Sequence, residues 1–386
     1  MSTDPAEIVA DAVRRGVVPG AVLVYGRGAD GPVRGGAFGT EVTTQTGYDL
    51  ASLTKVVATL PLALRLVDAG ELGLDDPVAR YLPDFARDAS VPVSGNGKDR
   101  VTIRQLLAHS SGLPAHREVW RLPGTARDRF AAVLAEPLES APGSAVRYSD
   151  LGFILLGRII ADVAGQPLDR AFAQWVAAPL GLAATGYRPA VASAATEANW
   201  FDDPERRDPK SSVVHDENAE SLGGVAGHAG LFGTGSDLAT YLRSGWLAPD
   251  SPILSPALRV EALRCQTEGL DGRRGLGWTL RGDSFDFLPG SWPPAAAGHT
   301  GFTGTSVALD PETGIWAVLL TNAVLLGREN RTRELRRSLH TAIAEEFGVA
   351  GSASNSGVSD IAADHAADHE PGTGPDGGSR GSRITT

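Results

Sequence analysis

Tyr48-Asp49-Leu50-Ala51-Ser52-Leu53-Thr54-Lys55 runs directly into Val56-Val57-Ala58-Thr59-Leu60-Pro61-Leu62-Ala63-Leu64-Arg65-Leu66-Val67-Asp68-Ala69-Gly70. Apolar residues recur at helical spacing from Val56 to Val67, and Gly70 is a stop signal. The stretch therefore predicts a buried helix beginning near Ser52 and kinked at Pro61. Residues three apart on a helix share a face with Cβ atoms about 5–6 Å apart, so the Ser52 hydroxyl and the Lys55 amine meet. Serine becomes a nucleophile only beside a base. Lysine, protonated below about pH 10.4, is a base only where burial or neighbouring charge lowers that value. The buried start of an apolar helix offers that setting, and its partial positive charge favours a developing oxyanion. S-x-x-K is a short pattern, and a Ser N-cap beside a solvated Lys also accounts for it.

Composition bears on that choice. Lysine occurs only at positions 55, 98 and 210; every other cationic side chain is arginine. Guanidinium is effectively never deprotonated, so a lysine on an apolar helix points to work that arginine cannot do.

The 386 residues suffice for two subdomains or one large domain with a sizeable core. With 35 basic against 46 acidic residues the net charge is −11, and no Lys/Arg-rich run occurs, which argues against nucleic acid and anionic membrane as partners. The single cysteine, Cys265, excludes an internal disulfide and argues against a cysteine-based metal site; it falls in a predicted helix over 254–266 as a packed thiol. Residues 1–15 read as an amphipathic helix with Asp4, Glu7 and Asp11, without the basic start and apolar body of a signal peptide. No apolar run approaches the roughly 20 residues that span a bilayer, so a cytoplasmic location is expected.

Residues 21–25 and 33–38 read as two strands. The segment between them, Gly26-Arg27-Gly28-Ala29-Asp30-Gly31, matches G-x-G-x-x-G. That fingerprint needs a helix after its last glycine, whereas Pro32 and a strand follow, so it is a hairpin turn. Thr102 to Leu107 predicts a short capped helix leading to His109, for which a hydrogen-bonding structural role is expected. Arg147-Tyr148-Ser149-Asp150 opens an exceptionally apolar helix; Tyr148 and Asp150 are candidates for site chemistry, and Ser149 or Asp150 is the N-cap. His215-Asp216-Glu217-Asn218-Ala219 and the glycine-rich Gly223–Phe232 stretch around His228 suggest a backbone wrapped closely around something. Their His, Asp and Glu residues lack any recognised metal-ligand spacing, and no metal or cofactor is expected. Residues 275–280, 305–309 and 314–321 predict neighbouring antiparallel strands, with Gly298-His299-Thr300-Gly301-Phe302 between the first two. Trp292, just before, borders either a pocket or a packed loop. Residues 332–347 predict a closing amphipathic helix. Gly377-Gly378-Ser379-Arg380-Gly381 matches the hydrolase elbow pattern, but it falls in a Gly/Ser/Asp-rich tail without strand or helix signals and is accidental.

Ser52-Leu53-Thr54-Lys55, Tyr148-Ser149-Asp150 and His299-Thr300-Gly301, in that order, resemble the S-x-x-K, Y-x-N and K/H-T-G motifs of class C β-lactamase-like serine hydrolases, relatives of penicillin-binding proteins. The resemblance covers about residues 5–347. It implies an α/β (α+β) fold: an antiparallel sheet flanked by helices and built from both chain ends, with an all-helical subdomain inserted. The corresponding boundaries are 1–70 and 271–348 for the sheet part, 71–270 for the helical part, and 349–386 for a disordered tail. Carried over by motif, Ser52 is the nucleophile that forms an acyl-enzyme, and Lys55 and Tyr148 share proton transfer. The N–H groups of Ser52 and Phe302 form an oxyanion hole, while Asp150, His299, Thr300 and Gly301 line the substrate side.

Two departures matter. Asp150 replaces Asn; an ionised carboxylate would hold Lys55 protonated, shift the base role toward Tyr148, and donate no hydrogen bond to a substrate carbonyl. His299 replaces the lysine of true β-lactamases, and a largely neutral imidazole is a weaker anchor for a β-lactam carboxylate. Both point to the esterase, amidase and acyltransferase branches, with a small-molecule ester or amide as the expected substrate. Transfer of the acyl group to an amine, a muramyl-peptide amidase or D-amino-acid peptidase, and a non-catalytic acyl-binding or penicillin-binding sensor are the alternatives.

Overall fold

Ala21-Val22-Leu23-Val24-Tyr25 has no polar face, and the computed structural model shows why: both sides of its sheet are covered. The structure describes residues 4–87, 97–203, 205–329 and 331–349. Among them, β1 (Ala21–Arg27), β2 (Val33–Phe38), β5 (Thr279–Leu280), β6 (Ala297–Thr300), β7 (Ser306–Leu309) and β8 (Ile315–Thr321) form one antiparallel sheet in the order β2-β1-β8-β7-β6-β5. β3 (Tyr48–Asp49) and β4 (Phe232–Gly233) pair separately. The β1–β2 turn closes with Gly26 opposite Val33, the hairpin that Pro32 implied.

Side chains alternate across each strand, so one residue set faces each side. Val22 and Val24 of β1, with Trp316, Val318 and Leu320 of β8, enter the larger core, which also holds Val56, Leu60, Leu64, Phe153 and Leu156. Leu23 and Tyr25, with Ile315, Ala317 and Leu319, face the other way and meet Val9, Leu335, Leu339 and Ile343. Those last four belong to the terminal helices Pro5–Arg14 and Thr332–Glu346, which thus close the second face. The six-stranded sheet takes no strand from residues 71–270. We therefore propose the division into a sheet part, 1–70 with 271–348, and a helical part, 71–270.

Three expectations need correction. The strand over 275–280 shrinks to Thr279–Leu280 because Gly277 takes φ +74° and the preceding amides bond elsewhere: Leu276 N–H to the Ala262 carbonyl, and Gly277 N–H to that of Leu107. The helix over 254–266 is Pro256–Leu263, ended by an extended Arg264, so Cys265 lies beyond it. The helix at Ser52 is not continuous from there, as described below. The tail from residue 350, with its accidental elbow motif, lies outside the described residues. No single helix among the described residues is long and apolar enough to cross a membrane.

The helix Asp150–Ala164 starts on Ser149, whose Oγ accepts from Gly152 N–H at 3.3 Å, and stops at Gly165 in the left-handed region. Midway, Gly157 meets Gly227 backbone to backbone. A Cβ on Gly227 would lie 2.0 Å from the Phe153 carbonyl oxygen and 2.8 Å from Gly157 N. Gly227→Ala is accordingly expected to force the helix and loop apart and lower stability by about 1–3 kcal/mol, the usual scale of overpacking, as read by chemical denaturation.

Candidate active site

Ser52 sits in a 3₁₀ turn, Ala51–Leu53. Ala51, just before it, has φ +47°, a conformation that a non-glycine residue keeps only when its surroundings impose it. They do: Ala51 N–H donates to Asp49 Oδ1 at 2.7 Å, and Asp49 Oδ2 accepts from His215 N–H at 2.6 Å. From the β6–β7 hairpin, Thr303 Oγ1 donates to the Asp49 carbonyl at 2.8 Å and Thr305 Oγ1 to that of Leu50 at 3.3 Å. Gly301 presses on the same turn. A Cβ there would come 2.6 Å from the Leu50 oxygen and 2.2 Å from Thr305 Oγ1, so the third motif reaches Ser52 only with glycine at this position.

After the turn the chain winds through π-helical turns, Lys55–Thr59, before the α-helix Leu60–Asp68. Leu60 N–H bonds to the Lys55 carbonyl, and Pro61, which has no N–H, cannot take the next acceptor, Val56. The Tyr241 hydroxyl donates to that carbonyl instead. The expected kink at Pro61 thus takes the form of a widened helix directly behind the nucleophile.

Lys55 is fully buried. Its Nζ lies within hydrogen-bond distance of Ser52 Oγ at 2.9 Å, Asp150 Oδ1 at 2.7 Å and the His228 carbonyl at 3.2 Å, with Tyr148 as a further neighbour. Burial, the largest influence on Lys55, works against its charge, but Asp150 and Tyr148 outweigh it and the pKa is raised. Burial likewise opposes the Asp150 carboxylate; Lys55, then His116 and His228, hold it well below the usual carboxylate range. Each partner thus favours the charged form of the other, the direction in which Asp150 is expected to act on Lys55.

Lys55 Nζ also lies 4.8 Å from the Tyr148 ring centre. Burial pushes the Tyr148 phenol up, against opposing effects of Lys55 and of hydrogen bonds with Lys55 and Ser52. The Tyr148 ring also packs against His109, with ring centres 4.4 Å apart and planes tilted by 30°. His109 Nδ1 accepts from Ser149 N–H at 3.0 Å, the structural role expected, and burial holds the ring neutral. His299 lies 6.1 Å from Tyr148 between ring centres, and its Nδ1 donates to the Thr300 carbonyl at 2.8 Å. Burial first, then Lys55, lowers its pKa to about 3. Neutral His299 consequently presents Nε2 as an acceptor only. Ser52, Lys55, Tyr148, Asp150, His299 and Gly301 are thus brought together. Thr300 ends β6 beside them, and Phe302, a residue 43% exposed, follows with its ring stacked on His215 at 5.6 Å.

The glycine-rich stretch wraps around Lys55. Its His228 carbonyl binds the amine, Thr59 Oγ1 donates to the Gly227 carbonyl at 2.5 Å, and His228 Nε2 pairs with Asp216 Oδ1 at 2.8 Å. Some site residues carry no sequence signal. His116 Nδ1 reaches within 3.6 Å of Asp150 Oδ2 because Ser149 Oγ and Asp150 N–H bond to the carbonyls of Pro114 and Ala115. Arg274, fully buried behind Tyr148 and bound to Asp283 at 2.9 Å, is equally unheralded. The rarity of lysine needs qualifying too. Lys98, on the Leu134 carbonyl at 2.7 Å, and Lys210, on Glu220 at 2.6 Å, are buried as Lys55 is; among the three, Lys55 is the one bonded to a serine hydroxyl.

Known proteins share this arrangement of chain. The family model described as Beta-lactamase matches residues 6–342. A protein of Escherichia coli (strain K12), provisionally named a D-alanyl-D-alanine carboxypeptidase, is 35% identical over 315 residues, 73% of this chain and 70% of that protein. EstCE1, described as a hydrolase with promiscuous acyltransferase activity, superimposes with a TM-score of 0.65 at 25% identity, covering 87% of this chain and 97% of its own. The structure of SurE with D-Leu gives 0.65 at 26% identity, covering 90% and 76%. The match spans nearly all the described residues and both chain ends that build the sheet, so the chain belongs to the Beta-lactamase family, with the fold of the class C and penicillin-binding-protein-like serine hydrolases.

Proposed function

We propose that this protein cleaves a small-molecule carboxylic ester or amide through an acyl-enzyme on Ser52. The observation that carries this reading is the 2.9 Å contact of Ser52 Oγ with a buried, fully engaged Lys55 beneath Tyr148. Ser52 Oγ accepts from Lys55, which leaves its own proton to pass to Tyr148. As the Ser52 Oγ–carbon bond forms, that proton passes to Tyr148 while the phenolic proton moves on to the substrate's ester oxygen or amide nitrogen, whose bond to the acyl carbon then breaks. Lys55 stays cationic and stabilises the charge building on Oγ. The N–H groups of Ser52 and Phe302 serve as oxyanion donors, each worth about 3 kcal/mol in the transition state. An incoming water or amine then reverses the proton path and releases the acyl group.

Incubation with a fluorophosphonate, followed by intact and peptide mass spectrometry, tests the reading. One adduct on Ser52, absent from Ser52→Ala, is the expected result; labelling elsewhere on folded protein, or none, would sink it. Multiple turnover of an activated ester, lost in Ser52→Ala, would separate an enzyme from an acyl-binding sensor. The acyltransferase activity in the description of EstCE1 favours a second reading, acyl transfer, for which we propose an amine as the acceptor. Amide product formed when an amine acceptor is added distinguishes it. The name of the E. coli relative and the D-Leu in the SurE structure make D-amino-acid peptides, with the C-terminal carboxylate free and amidated, a further substrate class to assay.

A further inference from the structure

The cations around Ser52 are all engaged. Lys55 is held by Asp150, Ser52 and the His228 carbonyl. His116 faces Asp150 Oδ2 at 3.6 Å. Arg274, behind Tyr148, is bound by Asp283 at 2.9 Å and Thr279 at 2.8 Å. Arg328, whose guanidinium carbon lies 5.9 Å from the Phe302 ring, is clasped between Glu197, at 2.6 Å, and Glu217. Among the described residues, then, each of these cations already has a carboxylate partner.

Of the remaining polar groups, Asp150 and His299 are acceptors, while Thr300 and Tyr148 keep neutral hydroxyls. Asp150 stands where an amide donor would serve a substrate oxygen. His299, its Nδ1 committed to the Thr300 carbonyl, has no N–H left to donate, and its Nε2 is buried without a hydrogen-bond partner. Asp216, on His228, and Glu217 add further negative charge close to His116. A carboxylate is itself acceptor-only, so beside the scissile bond it would meet repulsion from Asp150 and, with the cations already taken, only neutral donors.

From these pairings we infer that the substrates of Ser52 carry no carboxylate next to the scissile bond: the site takes neutral or cationic esters and amides and discriminates against anionic ones. This rests on the acyl-enzyme reading of Ser52 and adds the charge class of its substrate.

The carboxamidomethyl and carboxymethyl esters of phenylacetic acid test it on the full chain. They share acyl group and bond type and differ by –CONH₂ against –COO⁻. The carboxamide should show a kcat/KM higher by about tenfold or more, the scale of one unfavourable charge contact in a partly desolvated site. Glu217→Gln loosens the hold on Arg328 and should raise kcat/KM for the carboxymethyl ester, narrowing the ratio; Glu197→Gln is the second variant should the first not fold. Equal turnover of the two esters, or preference for the carboxylate, overturns the inference and leaves the acyl-enzyme intact. No turnover of either, with Ser52 unlabelled by the fluorophosphonate, overturns both.

Discussion

Lys55→Met should reduce kcat/KM on the order of 10³-fold, the upper range for loss of one donor that stabilises transition-state charge, and should also destabilise the fold. The side chain is fully buried and its partner Asp150 is 18% exposed, so removing the ammonium strands a carboxylate in the core. Breaking one side of such a pair typically costs about 3–5 kcal/mol, whereas replacing both sides is often near neutral. Lys55→Met combined with Asp150→Asn should therefore recover most of the stability and none of the activity. Urea denaturation and ester kinetics on the two variants check this; equal stability of single and double variants would show that Asp150 is not charged in the native state. The pair also sets a pH window. Asp150 is lowered on folding, so its contribution is complete above the unfolded carboxylate value near 3.9 and is lost as pH falls toward the native one. Lys55 is raised, so its share persists below about 10.4 and is lost only as pH climbs through a still higher native value. Between about pH 5 and 9 neither group titrates.

Asp150→Asn alone should bring the titration of Lys55 into the working pH range, from which the native pair excludes it. In the wild type, Lys55 is never a free base in that window; the neighbour that titrates there is His116, whose pKa burial lowers but Asp150 raises more. Without Asp150 the largest remaining influence on Lys55 is burial, which lowers its pKa; buried lysines can titrate as low as about 5–6. The neutral amine can take the Ser52 proton directly, so the rate should rise with pH through a new limb between about 6 and 9. Single-turnover acylation rates across pH 5–9 read it. A uniform drop at every pH, with no new limb, would mean that Asp150 acts on the substrate and not on Lys55.

The chemistry is more legible in the sequence than its support. Ser52, Lys55, Tyr148, Asp150 and His299 can be picked out because two lie three apart at a helix start, two open an apolar helix, and one precedes a glycine turn in a strand region. Their convergence depends on contacts of long sequence separation: Thr303 and Thr305 holding the Ser52 turn, His228 supplying a carbonyl to Lys55. A main-chain carbonyl has no residue signature, so that ligand is invisible in one sequence. His116 and Arg274 arrive through loops whose paths are set by backbone bonds to Ser149–Asp150 and by the Asp283 pair. The π-helical widening is half legible. Pro61 announces a lost donor, but only Tyr241, 185 positions from Val56, decides how the spare carbonyl is satisfied.

The burial of all three lysines reaches beyond catalysis. Amine-selective reagents such as N-hydroxysuccinimide esters or formaldehyde need an accessible neutral amine, and the native fold exposes no lysine side chain to them; the arginines that cover the surface do not react. Amine coupling is thus confined to the terminal α-amino group, and carbodiimide chemistry on carboxylates is the route for attaching dyes or supports at side chains. Conversely, each acyl adduct found on Lys55, Lys98 or Lys210 records an opening of the chain around that residue. A timed labelling experiment would make the lysines three built-in clocks of local unfolding, at the nucleophile, beneath Phe85 and beside Trp200.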